Sequence, residues 1–435
     1  MKYRHDPNRI DVGFKIARIR EMEKLVSDDY SKYERHLLSI TKGHIYEENN
    51  LEKNSINKYL STFSDMYRQV AAGVTGPFLL PCSENNSIVD GAHRLALSAY
   101  FNLDYELKVT SHKGFSFNAD FFVGSAMARE DVETAIYNSF LFDSRTSCFI
   151  IWPDERACNV ENLIRKEHSV HYVKQIPVKT DLLSKIVFHT YFREKWARNF
   201  SNIMLKTRSV GKAGVLRVVF VANDDLQETK ERIRKEFNND QHLLHTPDNR
   251  EQFLELARVF LDRGQLRSIE KMALLDSATH SKIIKIKDLV GQNVVTGGTV
   301  LEMFGIRKSG DLDVLNISHK LRSTEKIDTW NEEELAYLRY AREAYNTQSN
   351  LIIGFAGLNF VRLEEVLDFK AKRSLPRDLM DVKLAKSKET GSLVRVLISN
   401  TMYRYRYIIF RMKHKLIDYT YAIYKRIMKY KNFLK

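Results

Sequence analysis

The chain has 435 residues, of which 43% are hydrophobic and 11% aromatic. That is too long for one ordinary domain and too apolar for extensive disorder, so two or three cores are expected. The net charge of +14 is uneven: residues 401–435 carry ten Lys or Arg against Asp418 alone, so overall charge by itself is no argument for nucleic-acid binding. No run of about 18 apolar residues spans a membrane, the N-terminus lacks a signal-peptide pattern, and three scattered cysteines fit a reducing compartment, so a cytoplasmic location is expected.

Helical patterning dominates Asp11 to Val70. Next, "GPFLLPCSENNSIVDGAHRLALSAYFNLDYELKV" reads as short strands and turns, then a helix and a strand. Within it Asp90-Gly91 forms a turn and His93 and Arg94 open the helix, where free N–H groups and the guanidinium fork suit a phosphate. Residues 115–210 mix strands such as "CFIIW" with amphipathic helices. "VLRVVFVAND" (Val215–Asp224) reads as a buried strand followed by a charged helix, as in an α/β unit. A helix capped by Thr246 or Asp248 ends at Gly264. "SVGKAG" lacks the pattern of a phosphate loop, and the His168/His171 and His242/His245 pairs lack partners at zinc spacing.

"VTGGTVLEMFGIRKSGDLDVL" (Val295–Leu315) is the most informative stretch. A strand is expected to enter a Gly297-Gly298 turn and then a helix. In a strand Asp311 and Asp313 share one face while Leu312 and Val314 turn to the core. Two such carboxylates suit Mg²⁺ that shares its shell with a nucleotide's phosphates. The glycines, Thr299, Arg307 and Ser309 are expected beside the triphosphate. A polar linker around "RSTEKIDTWNEEE", a helix to about Ala344, a strand "SNLIIGFAGLNFV" and a helix "RLEEVLDFKAKR" follow. In the tail, Ile409, Met412, Leu416 and Tyr419 recur at helical spacing among cations, as suits an anionic membrane surface.

The stretch "TGGTVLEMFGIRKSGDLDVL", with "FVRLEEVLDFKAKRSLPRDLMDVKLA" some fifty residues on, resembles the DNA-polymerase-β-like nucleotidyltransferase superfamily. The resemblance implies that Asp311 and Asp313 hold metal, that Lys370 reaches the phosphates, and that Asp378 and Asp381, near Arg373 and Arg377, orient the helix. It also implies a third carboxylate on a neighbouring strand. "SNLIIGFAGLNFV" has none, and Glu364 and Glu365 follow it. The Asp90-Gly91-x-His93-Arg94 stretch resembles the ParB/sulfiredoxin-like fold. That implies nucleotide or phosphate contacts from Asp90, Gly91, His93 and Arg94, with Glu47 or Glu48 as base in a kinase-like member. Sulfiredoxin's cysteine is replaced by Ala92. "QHLLHTPDNREQ" is similar to a loop in bacterial capsule and lipopolysaccharide-locus proteins that join both parts, which implies a substrate-site role for His245 and Asp248.

The expected architecture is therefore α/β (α+β). It comprises a ParB/sulfiredoxin-like domain (1–212), a middle α/β region (213–285), a nucleotidyltransferase-like domain (286–395) and a basic helical tail (396–435). The expected function is Mg²⁺-dependent nucleotidyl transfer from ATP or CTP to a small phosphorylated sugar or polyol for surface polysaccharide, with a kinase step in the first domain and peripheral contact with the inner membrane. The alternatives are a kinase with an inactive nucleotidyltransferase domain, a toxin or defence enzyme acting on RNA, and a nucleotide-binding regulator.

Overall fold

The computed structural model describes residues 1–23, 31–45, 54–74, 76–211, 214–222, 226–262, 264–318, 321, 323–324, 327–347 and 350–389. Glu47, Glu48 and the whole 401–435 tail lie outside the described residues. The molecule is of mixed α/β class. It divides into two compact units, one of Met1–Val294, Asn316–His319 and Tyr340–Arg362, the other of Val295–Leu315, Lys320–Arg339 and Leu363–Lys435. No helix among the described residues is long and apolar enough to cross a membrane.

The first unit begins with the helices Asp11–Met22, Ser31–Ile40 and Ile56–Ala71. Val12, Ile16 and Ile19 recur at helical spacing and bury against Tyr33, Leu37 and Phe63. Gly13 lets the first helix meet Arg129–Phe140 closely, since a Cβ there would lie 2.0 Å from the Ala135 carbonyl oxygen. The strands Phe78–Cys82 and Tyr105–Val109 pair in parallel, and the helix Ala92–Tyr100 connects them.

A four-stranded sheet follows. In spatial order its strands are Val170–Val178, Gly214–Ala222, Thr146–Ile151 and Leu244–His245, and every neighbouring pair is antiparallel. The helix Ala157–Glu167 links the third of these to the first, and Leu226–Glu236 links the second to the fourth. Each is a split β-α-β unit that brackets a strand of the other, the ferredoxin-like arrangement. On one face Phe149, Ile151, Val219 and Val221 pack with Val160, Ile164 and Ile233 of those two helices. On the other, Phe220 meets Phe140 and Phe253 at ring-centroid distances of 5.3 and 6.3 Å. Burial on both faces explains the apolar run Cys148–Ile151 in the strand Thr146–Ile151, whose six residues are all buried. The boundary expected at 212/213 therefore falls between paired strands of one sheet, not between domains. The expected cap is also corrected: Asn249, not Thr246 or Asp248, accepts the Gln252 N–H at the start of Arg250–Leu261.

The stretch expected as one strand at 349–361 is a hairpin, Ile352–Phe355 with Leu358–Val361. Ala356 and Gly357 both take left-handed backbone (φ 50° and 73°), which reverses the chain in two residues.

In the second unit the helix Gly297–Met303 leads to the strand Leu312–Leu315, which pairs in parallel with Ile327–Thr329. That second strand lies inside the segment expected to be a polar linker. The helix expected to run to Ala344 is only one turn, Glu332–Leu335, started by a capping box between Asn331 and Glu334. The helices Leu363–Arg373 and Pro376–Glu389 complete the unit, the former where the sequence placed it.

Candidate active site

The site is built around a glycine turn. Gly297 has φ +55°, and a Cβ there would lie 2.4 Å from Asp313 Cγ. At Gly298 a Cβ would lie 2.9 Å from Ser309 Oγ and 3.1 Å from Asp313 Oδ2. Only glycine lets the backbone come this close to the Asp313 carboxylate. The Gly298 N–H donates to Asp313 Oδ2, and the Thr296 N–H donates to the Asp313 carbonyl at 3.0 Å.

Leu312 and Val314 are buried, as the period-2 reading requires. Asp311 and Asp313 line one cavity of about 400 Å³, together with Gly297 and Gly298. A third carboxylate joins them. Asp328 lines the same cavity and is the register partner of Asp313 across the parallel strands. Burial, followed by the negative charge of Asp311, raises the Asp313 carboxyl above its ordinary value; Asp328 adds to this, and the Gly298 N–H and Lys370 oppose it.

A network of buried ion pairs forms another wall. Lys370 Nζ lies 2.8 Å from Asp378 Oδ1 and 3.0 Å from Asp381 Oδ2. Arg373 donates twice to Asp378, at 2.7 and 3.0 Å, and also reaches Glu334 Oε1 at 3.3 Å. Arg307 binds both oxygens of Asp381, at 2.6 and 2.9 Å. Asp378 and Asp381 are three residues apart on one helix face and fully buried. Burial pushes the Asp378 carboxyl up, but Arg373 and Lys370 outweigh it and hold the group below its ordinary value. Arg377 also lines the cavity but is exposed and has no ion pair among the described residues. The apolar wall is Trp330 stacked on Phe369, with ring centroids 4.1 Å apart and planes at 18°.

Of the residues expected at the triphosphate, Gly297, Gly298 and Lys370 line the cavity; Thr299, Arg307 and Ser309 do not. Thr299 Oγ1 and Ser309 Oγ both donate to the Asp311 carbonyl, at 3.2 and 2.6 Å, and so brace the approach to the strand. The Arg307 fork is taken by Asp381. The absence of a third carboxylate from 349–361 is also explained. It comes from the "KIDTW" segment, where Ile327 and Asp328 alternate inward and outward over a strand of three residues. That alternation was the available signal, and it is short.

The other predicted phosphate site closes on itself. Gly91 is left-handed (φ 89°) at the start of Ala92–Tyr100. Asp90 Oδ1 accepts the Gly91 N–H at 2.6 Å, and Arg94 donates to the Leu79 carbonyl at 2.9 Å and lies 3.5 Å from Asp90. His93 Nε2 is 2.6 Å from the Tyr33 hydroxyl. His245 is buried in the sheet, and Asp248 lines a separate cavity of about 280 Å³.

Whether Mg²⁺ suits the cleft depends on its donors. Among the described residues no group of three or more His, Cys, Asp or Glu side chains is placed to hold a metal ion. The cleft instead presents three carboxylates, Asp311, Asp313 and Asp328, on one cavity, with Asp313 raised by burial and then by the charge of Asp311. That fits an ion that keeps its waters and completes its shell with phosphate oxygens. Comparison with known proteins finds no family model, no curated protein and no solved structure that matches the chain.

Proposed function

We propose that the protein is a metal-dependent nucleotidyltransferase acting on a small phosphorylated acceptor. The observation that carries this reading is the meeting of Asp313 and Asp328 on two adjacent parallel strands, with Asp311 just before the first of them, at one cavity beside a glycine turn. Asp311 and Asp313 would hold Mg²⁺, which when bound neutralises the triphosphate and polarises the phosphorus under attack. Asp328, one strand away, would take the acceptor's proton. The glycine turn lets phosphate oxygens approach the backbone as closely as Asp313 does now. Lys370, held by Asp378 and Asp381, presents its charge from a fixed position and stabilises the departing phosphates.

Apolar atoms from Trp330, Phe369, Leu375, Pro376 and Met380 supply a surface for the flat or aliphatic part of a substrate. Arg377, without a carboxylate partner among the described residues, suits an anionic acceptor. Surface-glycan precursors are the acceptor class suggested by the sequence resemblance.

The test is incubation with each nucleoside triphosphate, Mg²⁺ and a panel of sugar and polyol phosphates, with pyrophosphate and ADP measured together. Pyrophosphate release that depends on acceptor and metal supports the reading. ADP as the sole product would replace it with phosphoryl transfer.

A further inference from the structure

Three segments of the first unit, residues 6–8, 85–87 and 114–116, converge on a polar depression and line one cavity of about 400 Å³. The fold ties them together. The Phe117 N–H donates to the Asn8 carbonyl at 2.7 Å, and the Ile10 N–H donates to the Phe117 carbonyl at 3.1 Å. Arg9 donates to the Ile88 carbonyl, and Ser116 Oγ donates to Asn8 Oδ1 at 2.9 Å. Gly114 lets the third segment approach the second, since a Cβ there would lie 2.7 Å from Ser87 Cβ.

Much of the polar lining has no use within the fold. Asp6 accepts the Asn8 N–H with Oδ1 at 2.8 Å, and its Oδ2 has no donor among the described residues. Arg9 feels the Asp6 charge, but its nitrogens are spent on Asp11 and the Ile88 carbonyl. Asn85 Oδ1 accepts from Ser83 Oγ and the Ser87 N–H, while its amide nitrogen has no acceptor among the described residues. The Asn8 amide nitrogen, both ends of the Asn86 amide and the Ser87 hydroxyl are likewise without partners among the described residues. Phe115 lines the same cavity. At 55% exposed it is the only exposed Phe or Trp among the described residues, and it stacks on Phe117 with ring centroids 5.9 Å apart and planes at 10°. A ring held in this way keeps one face open for apolar contact.

We propose that this depression binds a neutral sugar unit. Amide nitrogens donate, a carboxylate and an amide oxygen accept, and a serine hydroxyl does both. That mixture matches vicinal sugar hydroxyls, each of which donates and accepts. Phe115 offers its face to the C–H side of the sugar ring. The lining disfavours other ligands. A phosphate would bring acceptors against Asp6 and find no Lys or Arg, and a metal ion would find a single carboxylate. The cavity volume lies within the range of small-molecule sites. The site belongs to the first unit and does not rest on the nucleotidyl-transfer reading.

The test is saturation-transfer NMR on the full-length protein with methyl α-glucoside, methyl α-mannoside and N-acetylglucosamine, irradiating aromatic protons and reading the sugar C–H signals. Transfer to at least one sugar is expected, with a dissociation constant on the order of 1 mM, as a few neutral hydrogen bonds and one ring contact imply. Phe115→Ala should remove most of the transfer. Asn86→Gly suits the left-handed backbone there (φ 62°), and Asp6→Asn keeps an acceptor for the Asn8 N–H. Each should weaken binding about fivefold, as loss of one hydrogen bond implies, with the melting temperature unchanged. Asp311→Asn should leave the transfer intact, which separates this site from the cleft. No transfer to any of the three sugars overturns the proposal, and so does transfer that persists undiminished in Phe115→Ala. Equal transfer to cyclohexanol, which has a ring and one hydroxyl, also overturns it, since the polar lining would then contribute nothing.

Discussion

The Asp311/Asp313 cleft and the Asp90–Arg94 loop both begin at a left-handed glycine that opens a helix, but their charges are disposed in opposite ways. In the loop every charge has an internal use: Asp90 accepts from Gly91, Arg94 holds the Leu79 carbonyl, and His93 meets Tyr33. In the cleft, Asp311 and Asp328 face Asp313, and burial, followed by the charge of Asp311, raises the Asp313 carboxyl. Both stretches read as phosphate sites in the sequence; in the cleft three carboxylates share one cavity, whereas the loop's side chains meet partners within the fold. A polar motif marks a binding site when its scaffold does not consume its donors and acceptors.

The largest expected effect comes from Asp311→Asn. Pyrophosphate release should fall by about a thousandfold, as loss of several kcal/mol of charge stabilisation implies. Arg94→Ala should leave that rate unchanged. A comparable fall in both variants would erase the distinction between the regions. Asp328→Asn comes next, with a fall of roughly a hundredfold, the lower end of a general-base contribution. If its rate matched the unsubstituted protein, Asp328 would be a spectator.

The pH profile sharpens the comparison further. Asp313 is raised, so its charged form is disfavoured in the folded protein, and metal binding should weaken as pH falls through that raised value. For stability the sign reverses. Between the ordinary value and the raised one the folded state holds more protons than the unfolded, so stability declines as pH rises. Asp313→Asn should therefore raise the melting temperature at pH 7 and change it little at pH 3. Thermal melts at the two pH values decide this, and a lower melting temperature at pH 7 would contradict the account.

The smallest effects belong to the loop. Gly91→Ala forces a left-handed alanine whose Cβ lies 2.8 Å from Leu80 Cδ2, at a cost of about 1–2 kcal/mol in denaturant unfolding. Arg94→Ala loses one bond to a carbonyl and should cost roughly 0.5–1.5 kcal/mol. Neither should alter turnover.

How much of this was legible follows from chain distance. Asp311 and Asp313 needed only the two-residue period of a strand, and Gly297-Gly298 only the demand for close backbone approach. Apolar spacing gave the helix that carries Lys370, while the lysine itself was singled out only by the resemblance of "FVRLEEVLDFKAKR". Asp328 was not legible, because a three-residue strand inside a charged segment gives almost no periodicity; its place is fixed by pairing with residues fifteen positions earlier in the chain. The four-stranded sheet was missed for the same reason, since Ile150 pairs with His245 across most of the region. The turn at Ala356 was hidden because alanine seldom adopts that backbone, and here Gly357 beside it carries the reversal. Arg307 was assigned to a ligand because nothing nearby in sequence announced Asp381 as its partner.

Asp381 has a consequence of its own. One carboxylate accepts the fork of Arg307, which follows the glycine turn, and the amine of Lys370, from a helix some sixty residues later. The two sides of the cleft are thereby pinned to a common post. Prying them apart would strip both cations of the same counter-charge at once, so the gap between turn and lysine is preset. A substrate entering it would be gauged against a rigid calliper.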